Sequence, residues 1–361
     1  MEIFMSIQNK TFKKHLLAVA TTVVLGATAG TVVAVDVVEG PTVYGRLNVS
    51  VAQTDWEGVR GSVEDSWDLR SNASRLGVKG AIAIDGFTFK VIYGAEYGIE
   101  AADTTSTTFT QRNIFLGLEG DWGRVIAGRH DTPLKQTEGK IDQFNDLDAD
   151  IDRLFGAHNR DPNIIYYTSP KFADGLLTAN IATVLADDAD IDGDGEKEDG
   201  LFDSISASLV AQKDAWYGAL GYHSNASYGN FADAFINIPA PPEGVPGGRR
   251  ADVVRLVGGY IGEKFELGAA YQQASDVANG SDAEDSALLI GAAYKIDRVK
   301  LKAQFGQVEG DVSDEKRSLA AIGADYNFNA KTRAYVAYSS LELDKADLSD
   351  NTFAIGFDHT F

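Results

Sequence analysis

The 361-residue sequence predicts an all-β fold, a single antiparallel β-barrel of sixteen strands that spans a membrane. Three observations carry this reading. Apolar and polar residues alternate with period two almost everywhere after the first thirty-odd positions. The alternating runs come in pairs, with tight turns inside each pair and longer polar segments between pairs. Beyond the N-terminal run, no stretch is long and apolar enough for a membrane helix, so a membrane protein of this sequence must cross with strands.

The first element is a leader. Lys10, Lys13 and Lys14 precede an apolar run from Leu16 to Leu25, which gives way to the small residues Gly26 to Gly30. Charged, apolar and small segments in that order mark a secretory signal. The run is shorter than the roughly 20 apolar residues of a membrane anchor. Cleavage is expected after Ala29 or Ala34, so residues 1–34 are read as signal peptide and 35–361 as one barrel domain.

The strands follow. From Val43 to Val51, Gly45, Leu47, Val49 and Val51 alternate with Arg46, Asn48 and Ser50. From Phe87 to Ile99 the odd positions are apolar or aromatic and the even ones mostly polar or glycine, with Ile92 the exception. From Val299 to Phe305, apolar residues alternate with Lys300, Lys302 and Gln304. Each strand presents one face to something apolar and wets the other. No run keeps the three-to-four spacing of an amphipathic helix.

Tight turns are expected at Asp85-Gly86, Asp121 to Gly123, Ala173 to Gly175, Lys213-Asp214, Gly262 to Lys264, Ile296-Asp297 and Asn327 to Asn329. Longer polar connections are expected near residues 53–73, 100–109, 130–162, 187–200, 223–250, 274–286, 308–317 and 342–351. Seven short and eight long connections give the sixteen strands. Alternation alone also fits a soluble sandwich. The aromatics favour the barrel: Tyr93, Tyr97, Tyr222, Tyr260, Tyr271, Tyr294, Tyr326 and Tyr338 recur on apolar faces near strand ends, where a membrane girdle needs them. Mean hydropathy is only −0.15 because half of each strand meets water.

Composition excludes other classes. With no cysteine there is no disulfide framework, thiolate metal site or thiol nucleophile. A net charge of −21 argues against a nucleic-acid partner, which demands a basic surface.

The last strand places Phe353, Ile355, Phe357, His359 and Phe361 on one face. Its terminal Phe361 resembles the signal by which outer-membrane barrels are recognised by the barrel-assembly machinery. With Val43-Tyr44-Gly45-Arg46-Leu47, Ser74 to Gly80, Arg112 to Leu118, Gly128 to Pro133 and Asn163 to Pro170, the chain resembles the general trimeric porins of Gram-negative bacteria over essentially its whole mature length. The resemblance implies a homotrimer in outer-membrane lipid, a water-filled channel for small hydrophilic solutes and ions, and no cofactor. Outward small residues such as Gly45 and Gly80 support the trimer.

The resemblance also implies that residues 130–162 fold into the barrel as a constriction loop, with its acidic groups facing arginines on the wall. The loop candidates are Asp131, Glu138, Asp142, Asp146 and Asp148, with Asp150, Asp152, Lys135, Lys140, Arg153 and Arg160 beside them. Strand parity turns Arg46, Arg75, Lys79 and Lys90 inward. Arg112 and Arg129 match the family pattern, but Arg112 is in step with Ile114 and Leu116, so its inward direction rests on the resemblance. Opposed charges in a narrow passage set up a transverse field that orders water and disfavours apolar solutes. The alternative for each loop carboxylate is an ordinary solvated surface charge.

Asp190, Asp192, Asp194 and Gly195 have the opening spacing of a calcium loop, but Leu201 stands where the bidentate Glu belongs. A weakly held Ca2+ and a flexible acidic loop both remain open. His130, His158, His223 and His359 show neither zinc spacing nor a nucleophile motif. An outer-membrane barrel enzyme or adhesin without an open pore is the alternative function, and a lipid-facing Ser–His pair would favour it.

Overall fold

The computed structural model describes residues 39–59, 62–102, 108–185, 200–202, 204–228, 249–275, 283–311 and 315–361. The expected leader over 1–34 and the Asp190, Asp192, Asp194 segment lie outside these residues.

Seventeen strand segments follow in order: β1 (Glu39–Glu57), β2 (Ser62–Ser71), β3 (Arg75–Ala83), β4 (Lys90–Ile99), β5 (Phe109–Gly120), β6 (Gly123–Asp131), β7 (Arg160–Thr168), β8 (Leu177–Val184), β9 (Ser204–Lys213), β10 (Trp216–Tyr228), β11 (Arg249–Ile261), β12 (Phe265–Ser275), β13 (Glu284–Ile296), β14 (Val299–Gly310), β15 (Lys316–Asn329), β16 (Thr332–Leu343) and β17 (Leu348–Thr360). β2 and β3 both pair with β1, through Val49↔Ser71 and Arg46↔Arg75, and are one stave interrupted at residues 72–74. Ala73 turns there with φ 52°. The seventeen segments therefore make the sixteen staves that the alternation predicts. β17 pairs antiparallel with β1 from Arg46↔Thr360 to Trp56↔Asp350, which closes the sheet and leaves no edge.

The faces are inverted relative to a soluble protein. Val43, Leu47 and Val51 point outward and are exposed, whereas Arg46, Asn48 and Ser50 are buried inside. On β17, Ile355 and Phe357 are outward, and Thr352 and Asp358 are buried. An outward apolar band meets hydrocarbon while inter-strand bonds satisfy the backbone. Aromatic rings gather at the short-turn end: Trp216 packs on Tyr260 (5.0 Å), Tyr260 stacks on Phe265 (4.8 Å), and Phe328 touches Tyr326 (5.1 Å) and Phe357 (5.9 Å).

Four expectations change. Residues 53–73 are a tall hairpin, not a loop, since pairing continues through Thr54↔Ser66 to Glu57↔Ser62. Gln53, Asp55 and Glu57 take the outward phase of β1, so alternation fades there while pairing persists, although Trp67 and Leu69 of β2 still point outward. β4 starts at Lys90, because Phe87 bonds back to Ile84 (3.1 Å) and its ring meets Phe89 in the turn. The turn expected at Asn327 to Asn329 falls at 330–331, because a register shift at Asn327/Asn329 extends β15. Gly45 and Gly80 are not open hollows for a neighbouring subunit. A Cβ on Gly45 would stand 2.4 Å from the Phe361 ring, and one on Gly80 2.3 Å from the Tyr93 hydroxyl.

The segment between β6 and β7 turns into the barrel. It opens with the short helix α1 (Pro133–Gln136), whose first turn is capped by the Thr132 hydroxyl accepting from Lys135 N (3.2 Å). A 3-10 turn, Ile151–Arg153, is capped by Asp150 accepting from Asp152 N (2.9 Å). Leu134, Ile141, Phe144, Ile151, Leu154 and Phe155 are fully buried between this segment and the wall. Burial of each such side chain is worth roughly 1.5–3 kcal/mol. Glycines on the inner wall make room: a Cβ on Gly268 would stand 2.5 Å from Ile141 Cβ, and one on Gly306 2.5 Å from Leu154 Cδ1.

Candidate pore constriction

Seated this way, the loop leaves a cavity of about 860 Å3 along its other edge. The wall supplies Arg75 of β3, Arg112 of β5 and Arg160 of β7, with Glu266 and Lys300 farther round. The loop side supplies Asp131, Lys135, Glu138, Lys140, Asp146 and Asp152, among others. The passage is therefore bounded by cations on one wall and mixed, mostly acidic groups on the loop.

Arg112 reaches the lumen through a bulge. Pairing steps from Ala95↔Ile114 to Tyr97↔Gln111, so Arg112 and Asn113 together oppose Glu96. One extra residue reverses the phase, which is how bulges re-aim a side chain. Arg112 Nε then donates to Glu96 Oε1 at 2.6 Å. Asn113 Oδ1 accepts from Arg160 Nε (2.9 Å), while its Nδ2 donates to Asp131 (3.0 Å). Asp131 is also flanked by Lys135 (3.1 Å) and Arg160 (3.0 Å). Arg75 is the loosest of the wall cations, 3.7 Å from Asp146.

The loop carboxylates divide by task. Asp146 has a left-handed backbone, φ 64°, that turns its carboxylate toward the wall, where Arg46 donates to it. Asp148 accepts from Arg70 of β2. Asp142 is consumed by the loop itself, accepting from Phe144 N (2.8 Å), Ile151 N (2.8 Å) and Gln304 Nε2 (2.9 Å). Asp150 likewise accepts from Asp146 N (2.6 Å) besides its capping bond. Glu138 Oε2 lies 3.2 Å from His158 Nε2. Burial and the neighbouring Asp142 carboxylate push the Glu138 carboxyl upward. Burial, with help from Lys135 and Arg255, pushes His158 well down. Burial and adjacent carboxylates also raise Asp150.

The expected residues thus fall into groups. Arg75, Arg112, Asp131, Glu138, Asp142 and Asp146 line the cavity. Arg46 and Asp148 do not line it, but they pair loop to wall. Lys79 faces inward roughly 13 Å along the strand from Arg75, with its ammonium 5.2 Å from the Tyr44 ring. Lys90 pairs with Glu119 (3.0 Å) beside a short turn, at the far end of the wall. Arg129 of β6 is also absent from the cavity lining; its Nε is buried and its charge acts on Asp161. Arg70, Glu96 and Asn113 were not singled out from the sequence. Glu96 lies on the inward phase of its strand, whereas Arg70 falls in the 53–73 segment whose composition predicts a loop.

A Ser–His contact does occur, Ser204 Oγ to His223 Nε2 at 3.0 Å. It is buried on the inner wall, not lipid-facing, and among the described residues His223 Nδ1 has no hydrogen-bond partner to orient the ring. Among the described residues no His, Asp or Glu cluster could hold a metal.

Comparison with known proteins supports the barrel. The Gram-negative porin family matches residues 20–346. Major outer membrane protein P.IB of Neisseria gonorrhoeae is 23% identical over 335 residues, covering 84% of this chain and 89% of that protein. P.IB of Neisseria meningitidis serogroup B is 24% identical over 341 residues, covering 89% and 94%. Among solved structures, an anion-selective porin from Comamonas acidovorans superposes with TM-score 0.71 at 19% identity, covering 90% of this chain and all of that one. Salmonella typhi OmpF in complex with daunomycin gives 0.67 at 16%, covering 90% and 98%. A trimer form of Vibrio cholerae OmpT gives 0.62 at 17%, covering 90% and 99%.

Proposed function

Since the chain belongs to the Gram-negative porin family, it is an outer-membrane pore and not an enzyme, and we propose that small hydrophilic solutes and ions diffuse passively through the cavity between the 132–159 loop and the wall arginines. The observation that carries this reading is the loop seated inside a closed barrel, with its carboxylates facing Arg75, Arg112 and Arg160. In a narrow passage such charges act through less water than at a surface, so they select by charge and exclude apolar solutes. The same reading includes export by the 1–34 leader, insertion through the barrel-assembly machinery, a setting in outer-membrane lipid, and a homotrimer. Likeness to the trimeric OmpT supports the last point.

Planar-bilayer recording tests the passage. The purified protein is expected to give stepwise currents, and a folded variant lacking residues 138–152 is expected to give larger steps and admit bulkier sugars. Equal steps from the two proteins would put the loop outside the conducting path.

A further inference from the structure

Arg46 stands where three parts of the molecule meet. It belongs to β1, the first strand. Its Nε and Nη2 each donate to Asp358 of β17, the last strand, at 2.9 Å, across the seam that closes the barrel. Its remaining Nη1 donates to Asp146 at the loop tip. One planar guanidinium is thus shared between the seam and the loop, with each nitrogen committed, as its fork geometry allows. Arg46 does not line the cavity and is nearly fully buried. Asp358 is held in turn by Arg333 at 3.0 Å, so the guanidinium sits against a fixed partner. Besides Arg46, Asp146 reaches Arg75 at 3.7 Å, and Asp148, two residues on, accepts from Arg70 of β2.

We propose that Arg46 is a positioning residue that makes the width of the passage depend on barrel closure: its guanidinium is aimed at Asp146 only when Asp358 of the last strand holds it from behind. The loop tip then docks after the seam has formed, and an open or frayed seam leaves the passage wide. The ion pairs of Asp358 are to the wall arginines Arg46 and Arg333, yet it controls where the loop tip rests. The inference rests on the cavity being the conducting path.

Single-channel recording of full-length variants tests it. Arg46→Gln is expected to raise conductance and broaden the open-level noise. Asp358→Asn is expected to do the same, although it leaves both Arg46 and Asp146 in place. The sequence has no cysteine, so the double variant Arg46→Cys, Asp146→Cys can be bridged cleanly by a short bis-maleimide. The bridged protein is expected to return to the narrow, quiet level with both charges gone, while the unbridged one stays wide. A role through charge alone would not survive that exchange. Wild-type conductance and noise from Asp358→Asn, or a bridged variant that stays wide, would overturn the proposal. Failure of the wild-type protein to conduct would instead overturn the reading of the cavity.

Discussion

Glu138 is a carboxyl on the passage whose charge can be switched near neutral pH; burial also raises Asp142 beside it, to about 6. Burial and the Asp142 carboxylate raise Glu138 from the ordinary 4.5 to about 8, while its neighbour His158 is held neutral by burial. Below that value the pair is a neutral carboxyl beside a neutral imidazole, 3.2 Å apart. Since the raised value belongs to the folded loop, the proton's contribution to loop seating is full below 4.5 and is lost as pH rises through about 8. Raising pH across that value adds a negative charge beside the passage, so the reversal potential in a salt gradient should move toward cations. Glu138→Gln should flatten that response, and a full response in this variant would assign the titration to another group. Legibility at this scale followed parity. Arg75 and Glu96 lie on the regular inner phase of their strands. Arg112 does not, because the bulge opposite Glu96 reverses its direction, and nothing in period-two alternation announces an extra residue. The division of labour among the loop aspartates was equally hidden: whether a carboxylate faces the passage, as Asp146 does, or accepts loop N–H groups, as Asp142 does, depends on the path of the chain between them.

Among the elements, the closing strand shows how a small residue can be read in the wrong direction. Gly45 lies on the outward face of β1, and its missing side chain is the space that the Phe361 ring fills. Phe361 N also donates to Gly45 O (3.0 Å), and Gly45 N to Phe361 O (3.2 Å). Ring and backbone together pin the last residue to the first strand. Phe361→Ala keeps the backbone bonds but empties the notch. With the ring about half exposed, the loss should be a fraction of the roughly 3–5 kcal/mol for a buried Phe→Ala change. The expected result is a lower yield of heat-modifiable barrel in the outer membrane, with unchanged conductance for the molecules that do assemble. Wild-type assembly kinetics would remove the ring from the closing step. Strands such as β1 and β14 were legible because lipid outside and water inside impose a strict two-residue period. The upper β1–β2 hairpin was not, since Gln53, Asp55 and Glu57 interrupt the apolar phase of β1. Nor did periodicity reveal the loop's seat, which depends on glycines such as Gly268 and Gly306 whose spacing in sequence follows the strands and not the loop that crosses them.

For the whole molecule, the formal charge of −21 and the selectivity of the pore need not share a sign. Two effects compete. Carboxylates in the outer loops concentrate cations at the mouth, but exposed charges are screened within about 8 Å at physiological salt and about 3 Å at 1 M. Charges inside the passage act where screening is weaker, and there the wall offers Arg75, Arg112 and Arg160. Two of these are already engaged at short range, Arg112 by Glu96 (2.6 Å) and Arg160 by Asp131 (3.0 Å), so their fields are largely cancelled nearby. Arg75, with Asp146 at 3.7 Å, has the least neutralised charge of the three and should weigh most on a passing ion. Arg75→Ser is therefore expected to shift the reversal potential toward cations and to keep that shift from low to high salt. The sequence predicts the acidic 187–196 segment to be an outer loop; on that expectation, neutralising its aspartates should shift the potential toward anions at low salt, with the effect fading as salt is added. The salt dependence separates the two sources, because only a charge inside the passage escapes the ionic atmosphere of the mouth. If Arg75→Ser leaves the reversal potential unchanged at every salt concentration, Arg75 does not set the field of the pore, and the paired arginines or the loop carboxylates must.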